Sequence, residues 1–234
     1  MERVGLSAPG VTVGAIHAAP VDDAPQFGVV VHPDIGGVRP LFDEICRRLA
    51  THGAAVCAPE PFARVPEGER EGADVPTRMT WVPGLDDADQ VGDLVRAADF
   101  LATAHGPLPS GVIGFCMGGH YTFKAAASGR FERAVSCYGM IRTPDDWRGP
   151  GHAEPLDLLA DACPTLAVIG SIDPYTPPDD VATLREVLDP ESGHEVRIYE
   201  GADHGFVHDP DRDVHRPDDA ADVWARALVW LGPR

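Results

Sequence analysis

The stretch GVIGFCMGG, residues 111–119, decides how this chain folds. Its apolar first half has the pattern of a buried strand, the second half is a glycine-rich turn, and residues 120–128 have a helical pattern. Glycines stand two positions before and two positions after Cys116, as a sharp strand-to-helix turn requires where two backbones approach closely. The pattern predicts an elbow that carries the Cys116 side chain above the C-terminal edge of a sheet.

Cys116 is therefore a candidate nucleophile. A helix that begins at this turn provides a positive field and free N–H groups, which favour a thiolate and then an oxyanion. The alternative is a structural cysteine at a tight turn, since free cysteine is among the most buried residue types. The strand before it, the helix after it and the partners downstream favour the catalytic interpretation. The remaining cysteines lie in or beside apolar strands or within a helix and are interpreted as structural: Cys46, Cys57, Cys137 and Cys163.

Short apolar runs alternate with helical patterns along the chain, which is typical of an α/β class with a mainly parallel central sheet and helices on both faces. The predicted strands are residues 11–18, 27–32, 54–58, 111–115, 133–138, 165–170 and 195–200. The predicted helices, besides the one after the elbow, are residues 40–52, 86–105, 177–188 and 218–231. Residues 61–85, rich in proline, glycine and charge, are expected to form an irregular functional loop or a harmless insertion.

Composition limits the classes of function. The 234 residues, 44% of them apolar, are expected to form a single domain over 1–234. A net charge of −18 would repel nucleic acids and anionic membrane surfaces. No apolar run approaches the roughly 18 residues that span a bilayer, so we expect a cytoplasmic protein, monomeric or homodimeric. Five scattered cysteines without C-x-x-C pairing indicate neither a disulfide framework nor a zinc site.

A nucleophile of this kind needs a base and an acid that orients the base, and both follow later strands here. Asp173 comes after the strand at 165–170, and His204 comes after the strand at 195–200. The order nucleophile, acid, histidine is the order expected for an elbow of this type. Rivals for the acid role are Asp179, Asp180 and Asp203, but Asp173 follows its strand most directly.

Two further features of the sequence bear on binding, a histidine pair and the sources of oxyanion donors. His204 and His208 are four residues apart, a spacing that suits a metal on a helix, but Gly205 and Pro210 argue against a helix, so we expect no metal. The first oxyanion donor is expected at the backbone N–H of Met117, the residue after the nucleophile. The second is expected in the glycine-rich turn HPDIGG, residues 32–37.

The blocks HPDIGG, GFCMGG, SIDPYTP and YEGADHGF together resemble the dienelactone hydrolase (carboxymethylenebutenolidase) family, over roughly residues 27–231. The resemblance implies the α/β-hydrolase fold and a Cys-Asp-His site of Cys116, Asp173 and His204. It also implies Ile35 and Met117 as the backbone oxyanion donors. No metal or organic cofactor is implied.

The chain departs from the family pattern at two positions. Asp34 stands where the family has a glutamate that holds the resting thiol, which makes Asp34 the candidate partner of the thiol. His208 stands where a family arginine grips the substrate carboxylate, and histidine is a weaker, pH-dependent cation. Three arginines of the 61–85 stretch could compensate, or could be surface charges: Arg64, Arg70 and Arg78. Aromatic residues interpreted as either pocket lining or core are Trp81, Phe115, Tyr138, Tyr175 and Phe206.

The sequence thus predicts hydrolysis of a small ester or lactone through an acyl-enzyme on Cys116. The alternative is a non-hydrolytic protein of the same fold that binds a ligand, or isomerises or cyclises it, and Asp34 and His208 leave room for this alternative. Dehalogenation would favour an aspartate at the elbow, and Cys116 counts against it.

Overall fold

The computed structural model describes residues 1–233, which form a sheet of eight strands with helices around it. The strands are β1 (Glu2–Ala8), β2 (Val11–Ala18), β3 (Phe27–His32), β4 (Ala54–Pro59), β5 (Ser110–Phe115), β6 (Arg133–Cys137), β7 (Thr165–Gly170) and β8 (Glu195–Tyr199). The order in space is β1-β2-β4-β3-β5-β6-β7-β8. The β1–β2 and β2–β4 pairs are antiparallel and all other pairs are parallel, which confirms the predicted mainly parallel sheet.

The helices are α1 (Pro40–Thr51), α2 (Glu67–Arg70), α3 (Val75–Met79), α4 (Asp87–His105), α5 (Met117–Ala126), α6 (Pro155–Leu158), α7 (Pro178–Val187) and α8 (Pro217–Leu231). One apolar layer joins α1 and α8 to one face of the sheet, and a second layer joins α4 to the other face. None of the helices in residues 1–233 is both long enough and apolar enough to cross a bilayer. The single-domain prediction for 1–234 ends on Arg234, which lies outside the described residues.

Every residue of β3, β4, β5 and β7 is buried, which explains why these strands read as continuous apolar runs. The predicted strands agree with the observed ones to within one residue at each end. β1 was not predicted, and this omission was wrong. Its pattern is weak because β1 lies at the edge of the sheet and only Leu6 of its seven residues is buried.

The stretch 61–85 was expected to be irregular, and the structure corrects this expectation. It contains α2, α3 and a short 3-10 helix at Val82–Gly84. Asp74 caps α3, because its side chain accepts a hydrogen bond from the Thr77 N–H at 2.9 Å. A local cap of this kind can start a single helical turn without a long periodic pattern, so periodicity did not reveal it.

The turn between β5 and α5 is the tightest part of the fold. A Cβ at Gly114 would lie 2.1 Å from the carbonyl oxygen of Gly118, and a Cβ at Gly118 would lie 2.2 Å from that of His32. Only glycine fits at either position. The helix α5 begins directly after Cys116, three residues earlier than the predicted start at residue 120, because its glycines pack against neighbouring backbone instead of extending the turn.

Two basic side chains of α5 are buried. Lys124, the single lysine of the chain, has a side chain only 1% exposed, and its Nζ donates to Asp87 Oδ1 at 2.7 Å. His120 is fully buried and its Nδ1 donates to the Met140 carbonyl at 3.0 Å. Burial, assisted by the charge of Lys124, lowers the pKa of His120 to about 3. This imidazole is therefore neutral in the folded protein.

Acid should destabilise the fold through His120. Between pH 6.5 and about 3 the unfolded chain binds a proton here that the folded chain does not, so stability is complete above pH 6.5 and falls as the pH drops. The contribution approaches about 1.4 kcal/mol per pH unit. His120→Asn keeps a donor for Met140 and cannot be protonated, so its free energy of unfolding in urea should fall less steeply with pH. Equal slopes for the variant and the wild type would contradict this prediction.

Candidate active site

Cys116 sits on the elbow in the left-handed region, with φ of 56°, and is partly exposed. Its backbone N–H donates to the Cys137 carbonyl at 3.1 Å, which fixes the turn against the end of β6. A non-glycine residue at positive φ is uncommon and costs free energy, and such residues cluster at functional sites. Since Cys116 immediately precedes α5, its sulfur lies at the positive end of a ten-residue helix.

His204 and Asp173 lie beside Cys116, so the structure brings together the three residues that the sequence singled out. His204 Nδ1 donates to Asp173 Oδ2 at 2.9 Å, and the His204 ring is also hydrogen-bonded to Cys116. Asp173 is held in turn by the Tyr175 N–H, which donates to its Oδ1 at 2.8 Å. The Asp173 side chain is fully buried, so its carboxylate acts on the histidine without competition from water.

The charges around His204 favour its protonated form. Burial lowers the pKa of His204, but the hydrogen bonds to Asp173 and to Cys116 outweigh burial and raise the pKa to about 10. At neutral pH the ring is therefore an imidazolium poised between a carboxylate and a sulfur.

The rival carboxylates have other partners. Asp203 accepts from the backbone N–H of His204 at 2.6 Å, and Asp180 pairs with Arg142 at 2.6 Å. Asp179 lies in the first turn of α7, where a carboxylate faces the positive helix end.

The expected oxyanion donors lie at the same edge of the sheet. Met117 is the first residue of α5, and the N–H of a first helical residue has no acceptor within its own helix. Ile35 lies in the turn after β3, which is closed by a 2.9 Å bond from the Gly37 N–H to the Asp34 carbonyl. Met117 follows Cys116 and Ile35 follows Asp34, and both of these preceding residues line the cavity in front of the site.

Asp34 was the candidate partner of the resting thiol, and the structure gives its carboxylate other partners. It is bonded to Arg39 and to His208, the latter at 2.7 Å. Sequence reasoning missed Arg39, although a carboxylate and an arginine five residues apart around a turn are a recognisable pair. His208, the substrate-binding candidate, has a side chain that is fully buried. It is thus an internal residue and is not part of the cavity wall in front of Cys116.

A cavity of about 690 Å³ opens in front of the site. Its wall includes Ile35, Arg78, Cys116, Tyr175, His204 and Arg212. Of the aromatic candidates only Tyr175 contributes to this wall, where its ring packs edge-on against His204 with centroids 4.8 Å apart. The others belong to the packed interior: Phe115, Tyr138 and Phe206 are fully buried, and Trp81 packs against Phe62.

Two arginines at the cavity have unused donors. Arg78 is held by the carbonyls of Ala73 and Arg70 at 3.2 and 3.0 Å, and its buried Nη1 has no hydrogen-bond partner. The nearest carboxylate, Glu60, is 4.0 Å away. Arg64 and Arg70, the other candidates of this stretch, do not reach the cavity wall.

Arg212 is the second arginine, and sequence reasoning missed it. Its guanidinium covers Gly205, where a Cβ would lie 2.0 Å from Nη1, and within residues 1–233 it has no ion-pair partner. Its position next to His204 depends on the fold of a loop that carries no periodic signal. Among residues 1–233, no group of three or more metal-ligating side chains is arranged to hold a metal ion.

The sheet order, the elbow and the histidine and acid after later strands define an α/β-hydrolase. Structures agree: a protein of Klebsiella pneumoniae assigned as a dienelactone hydrolase superposes with a TM-score of 0.86 at 30% identity, over 98% of this chain and 97% of its own. The chain belongs to the dienelactone hydrolase family, whose model matches residues 13–234. It is an ester or lactone hydrolase.

Relatives extend over nearly the whole chain. A protein of Escherichia coli assigned as a carboxymethylenebutenolidase is 32% identical over 95% of this chain and 83% of its own length. A Bradyrhizobium protein assigned as a 2-oxo-3-(5-oxofuran-2-ylidene)propanoate lactonase is 27% identical over 99% of this chain and 93% of its own length. The predicted family and the predicted hydrolase class are confirmed. Because the relatives are assigned as hydrolases, they disfavour the non-hydrolytic alternative.

The charge on His204 should depend on its two neighbours. We expect the wild-type imidazole to stay protonated at pH 8, and both Cys116→Ala and Asp173→Asn to lower its pKa. Cys116→Ala removes the sulfur and Asp173→Asn removes the negative charge, and both groups oppose the effect of burial. Titration of histidine ¹⁵N shifts by NMR measures this. Cys163→Ala, at a cysteine outside the cavity wall, is the control and should change nothing. An unaltered His204 pKa in Cys116→Ala would show that sulfur and ring do not interact.

Proposed function

We propose that this hydrolase cleaves a small ester or lactone through a covalent acyl-enzyme on Cys116. The observation that carries the proposal is the chain of hydrogen bonds from Cys116 through His204 to Asp173 at the wall of an open cavity. A sulfur nucleophile beside a charged histidine, with an acid that orients the histidine, is the arrangement that covalent acyl transfer requires.

In the first half of the reaction the Cys116 sulfur attacks the carbonyl carbon of the substrate. The backbone N–H groups of Ile35 and Met117 stabilise the negative oxygen of the tetrahedral intermediate. As the intermediate collapses, the bond to the leaving oxygen breaks and His204 donates its Nε2 proton to that oxygen. The product of this half is a thioester on Cys116 and a free alcohol or enol, or in a lactone the opened ring.

In the second half a water molecule attacks the thioester carbonyl. His204, now neutral, accepts a proton from the water, while Asp173 stabilises the imidazolium that forms. The carbon–sulfur bond breaks, the carboxylic acid leaves, and the sulfur regains its charge beside the imidazolium. The cycle consumes one water and needs no further reactant.

The cavity favours a substrate with an anionic group. Arg78 and Arg212 both belong to the wall of the cavity in front of Cys116. Within residues 1–233 Arg212 has no ion-pair partner, so its charge is available to an anionic group of a ligand. The names of the two relatives described above support this: each denotes a five-membered lactone that carries a carboxyl group. We infer that this chain takes a small lactone or ester bearing a carboxylate.

Replacing the nucleophile should abolish turnover. For Cys116→Ala we expect hydrolysis of an activated short-chain ester and of a cyclic enol lactone to fall by roughly three orders of magnitude or more, because no acyl-enzyme can form. Steady-state kinetics measures this, and mass spectrometry of wild-type protein quenched during turnover should detect the acyl adduct on the peptide with Cys116. Cys163→Ala is the matched control and should keep wild-type rates. Undiminished turnover in Cys116→Ala would reject the nucleophile.

Removing the charge of Arg212 should weaken the binding of anionic substrates and leave the binding of neutral substrates unchanged. Arg212→Gln is expected to raise the KM for a carboxylate-bearing lactone about 10- to 100-fold, the loss expected for one charged hydrogen bond. Its KM for a neutral ester should stay near that of the wild type. Arg47→Gln, at an exposed arginine outside the cavity, is the control. An equal rise in KM for both substrates would mean that Arg212 shapes the cavity rather than binding charge.

A further inference from the structure

The carboxylate of Asp34 is saturated with hydrogen bonds. Its Oδ1 accepts from the Gly36 N–H at 2.8 Å and from Arg39 Nη1. Its Oδ2 accepts from Arg39 Nη2 at 2.8 Å and from His208 Nε2 at 2.7 Å. A carboxylate offers about four lone-pair positions, and all four are in use. Asp34 therefore has no acceptor position left for the thiol of Cys116.

Asp34 also stays charged. Burial raises the pKa of this carboxyl group, but the hydrogen bonds from His208 and Arg39 outweigh burial and hold the pKa far below its usual range. Asp34 anchors the turn in which it lies, because its side chain accepts from the backbone N–H of Gly36 and Ile35 lies between these two residues. The position of the Ile35 N–H thus depends on where Asp34 is held.

His208 holds Asp34 from the interior. Its side chain is fully buried and stacks on Phe115, with centroids 4.9 Å apart and an interplanar angle of 17°. Because Nε2 donates to Asp34, Nδ1 of a neutral ring is an acceptor, and the Tyr138 hydroxyl lies 2.5 Å from it. Burial raises the pKa of Tyr138 well above its ordinary value, so the phenol keeps its proton and donates it.

The result is a directed chain: Tyr138 donates to His208, and His208 donates to Asp34. Its members follow β6, β8 and β3, so it ties three loops together at the edge of the sheet that carries the site. Tyr138 is one of two non-glycine residues at positive φ in residues 1–233, at 40°, and the other is Cys116. Its ring also packs edge-on against His204, with centroids 5.3 Å apart.

We propose that Tyr138, His208 and Asp34 form a buried positioning chain that holds the Ile35 N–H in place for the oxyanion. The inference rests on the proposed acyl transfer at Cys116 and gives these three residues a role in it that does not depend on contact with the substrate or the thiol. Oxyanion donors act mainly on the transition state, so the chain should affect kcat more than KM.

Variants test the chain directly. With a neutral activated ester, Asp34→Asn and His208→Leu should lower kcat about 100-fold, the loss expected for one oxyanion donor, with little change in KM. His208→Gln provides an amide that can donate to Asp34 and accept from Tyr138, so it should recover most of the activity lost in His208→Leu. Tyr138→Phe should also lower kcat, whereas Tyr199→Phe, which removes a hydroxyl bonded to Asp222 away from the site, should not.

Alkylation of Cys116 by iodoacetamide distinguishes an effect of the positioning chain on the oxyanion donor from an effect on the thiol. Alkylation forms no oxyanion, so its rate and pH profile should be the same in Asp34→Asn and His208→Leu as in the wild type, which also shows that the elbow is folded. A shifted profile in Asp34→Asn would make Asp34 a partner of the thiol and overturn the proposal. A raised KM at unchanged kcat, or equal kcat losses in His208→Gln and His208→Leu, would overturn it as well.

The two proposals fail in different ways. If Cys116→Ala hydrolyses the ester as fast as the wild type, the acyl-enzyme mechanism is wrong. If turnover requires Cys116 but the chain variants keep wild-type kcat, only the positioning chain is wrong.

Discussion

The rest of the structure depends on one close approach of backbones at the elbow. The carbonyl oxygen of Gly118 lies 2.1 Å from the place of a Cβ on Gly114, and that of His32 lies 2.2 Å from the place of a Cβ on Gly118. These contacts press α5 against β5 and β3 and leave Cys116 in the left-handed region. The free energy for holding such a residue comes from the packed interior around it, since the β5 residues are all buried. The site is thus stable only as part of the whole sheet.

Parallel pairing then brings the remaining groups to the same place. Strands β3, β5, β6, β7 and β8 run in one direction, so the loops that follow them meet at one edge. Two hydrogen-bonded chains of the same type result, each with a carboxylate, a histidine and a third group. One ends on the partly exposed sulfur of Cys116 and the other on the buried hydroxyl of Tyr138. Exposure, rather than residue type, separates the group that can meet a substrate from the one that cannot.

The sequence predicted what depends on local pattern and chain order. The elbow, most strands and the approach of Asp173 and His204 to Cys116 follow from spacing and from the rule that parallel strands end at one edge. What it could not predict depends on side-chain direction. Tyr138 and Phe206 were open between pocket and core, and only tertiary packing turns them inward. The partners of Asp34 and the place of Arg212 likewise depend on how loops distant in sequence fold together.

The burial of Lys124 has a consequence for the chemistry of the protein surface. The single lysine is 1% exposed and paired with Asp87, so reagents that acylate side-chain amines meet none on the surface of residues 1–233. Among the five cysteines only Cys116 and Cys163 are partly exposed, and burial raises the pKa of Cys163 to about 12. A mild electrophile therefore finds one thiol beside a cation. A fluorophore or spin label attached to Cys116 would therefore probe the cavity. The other four cysteines would not have to be replaced before labelling.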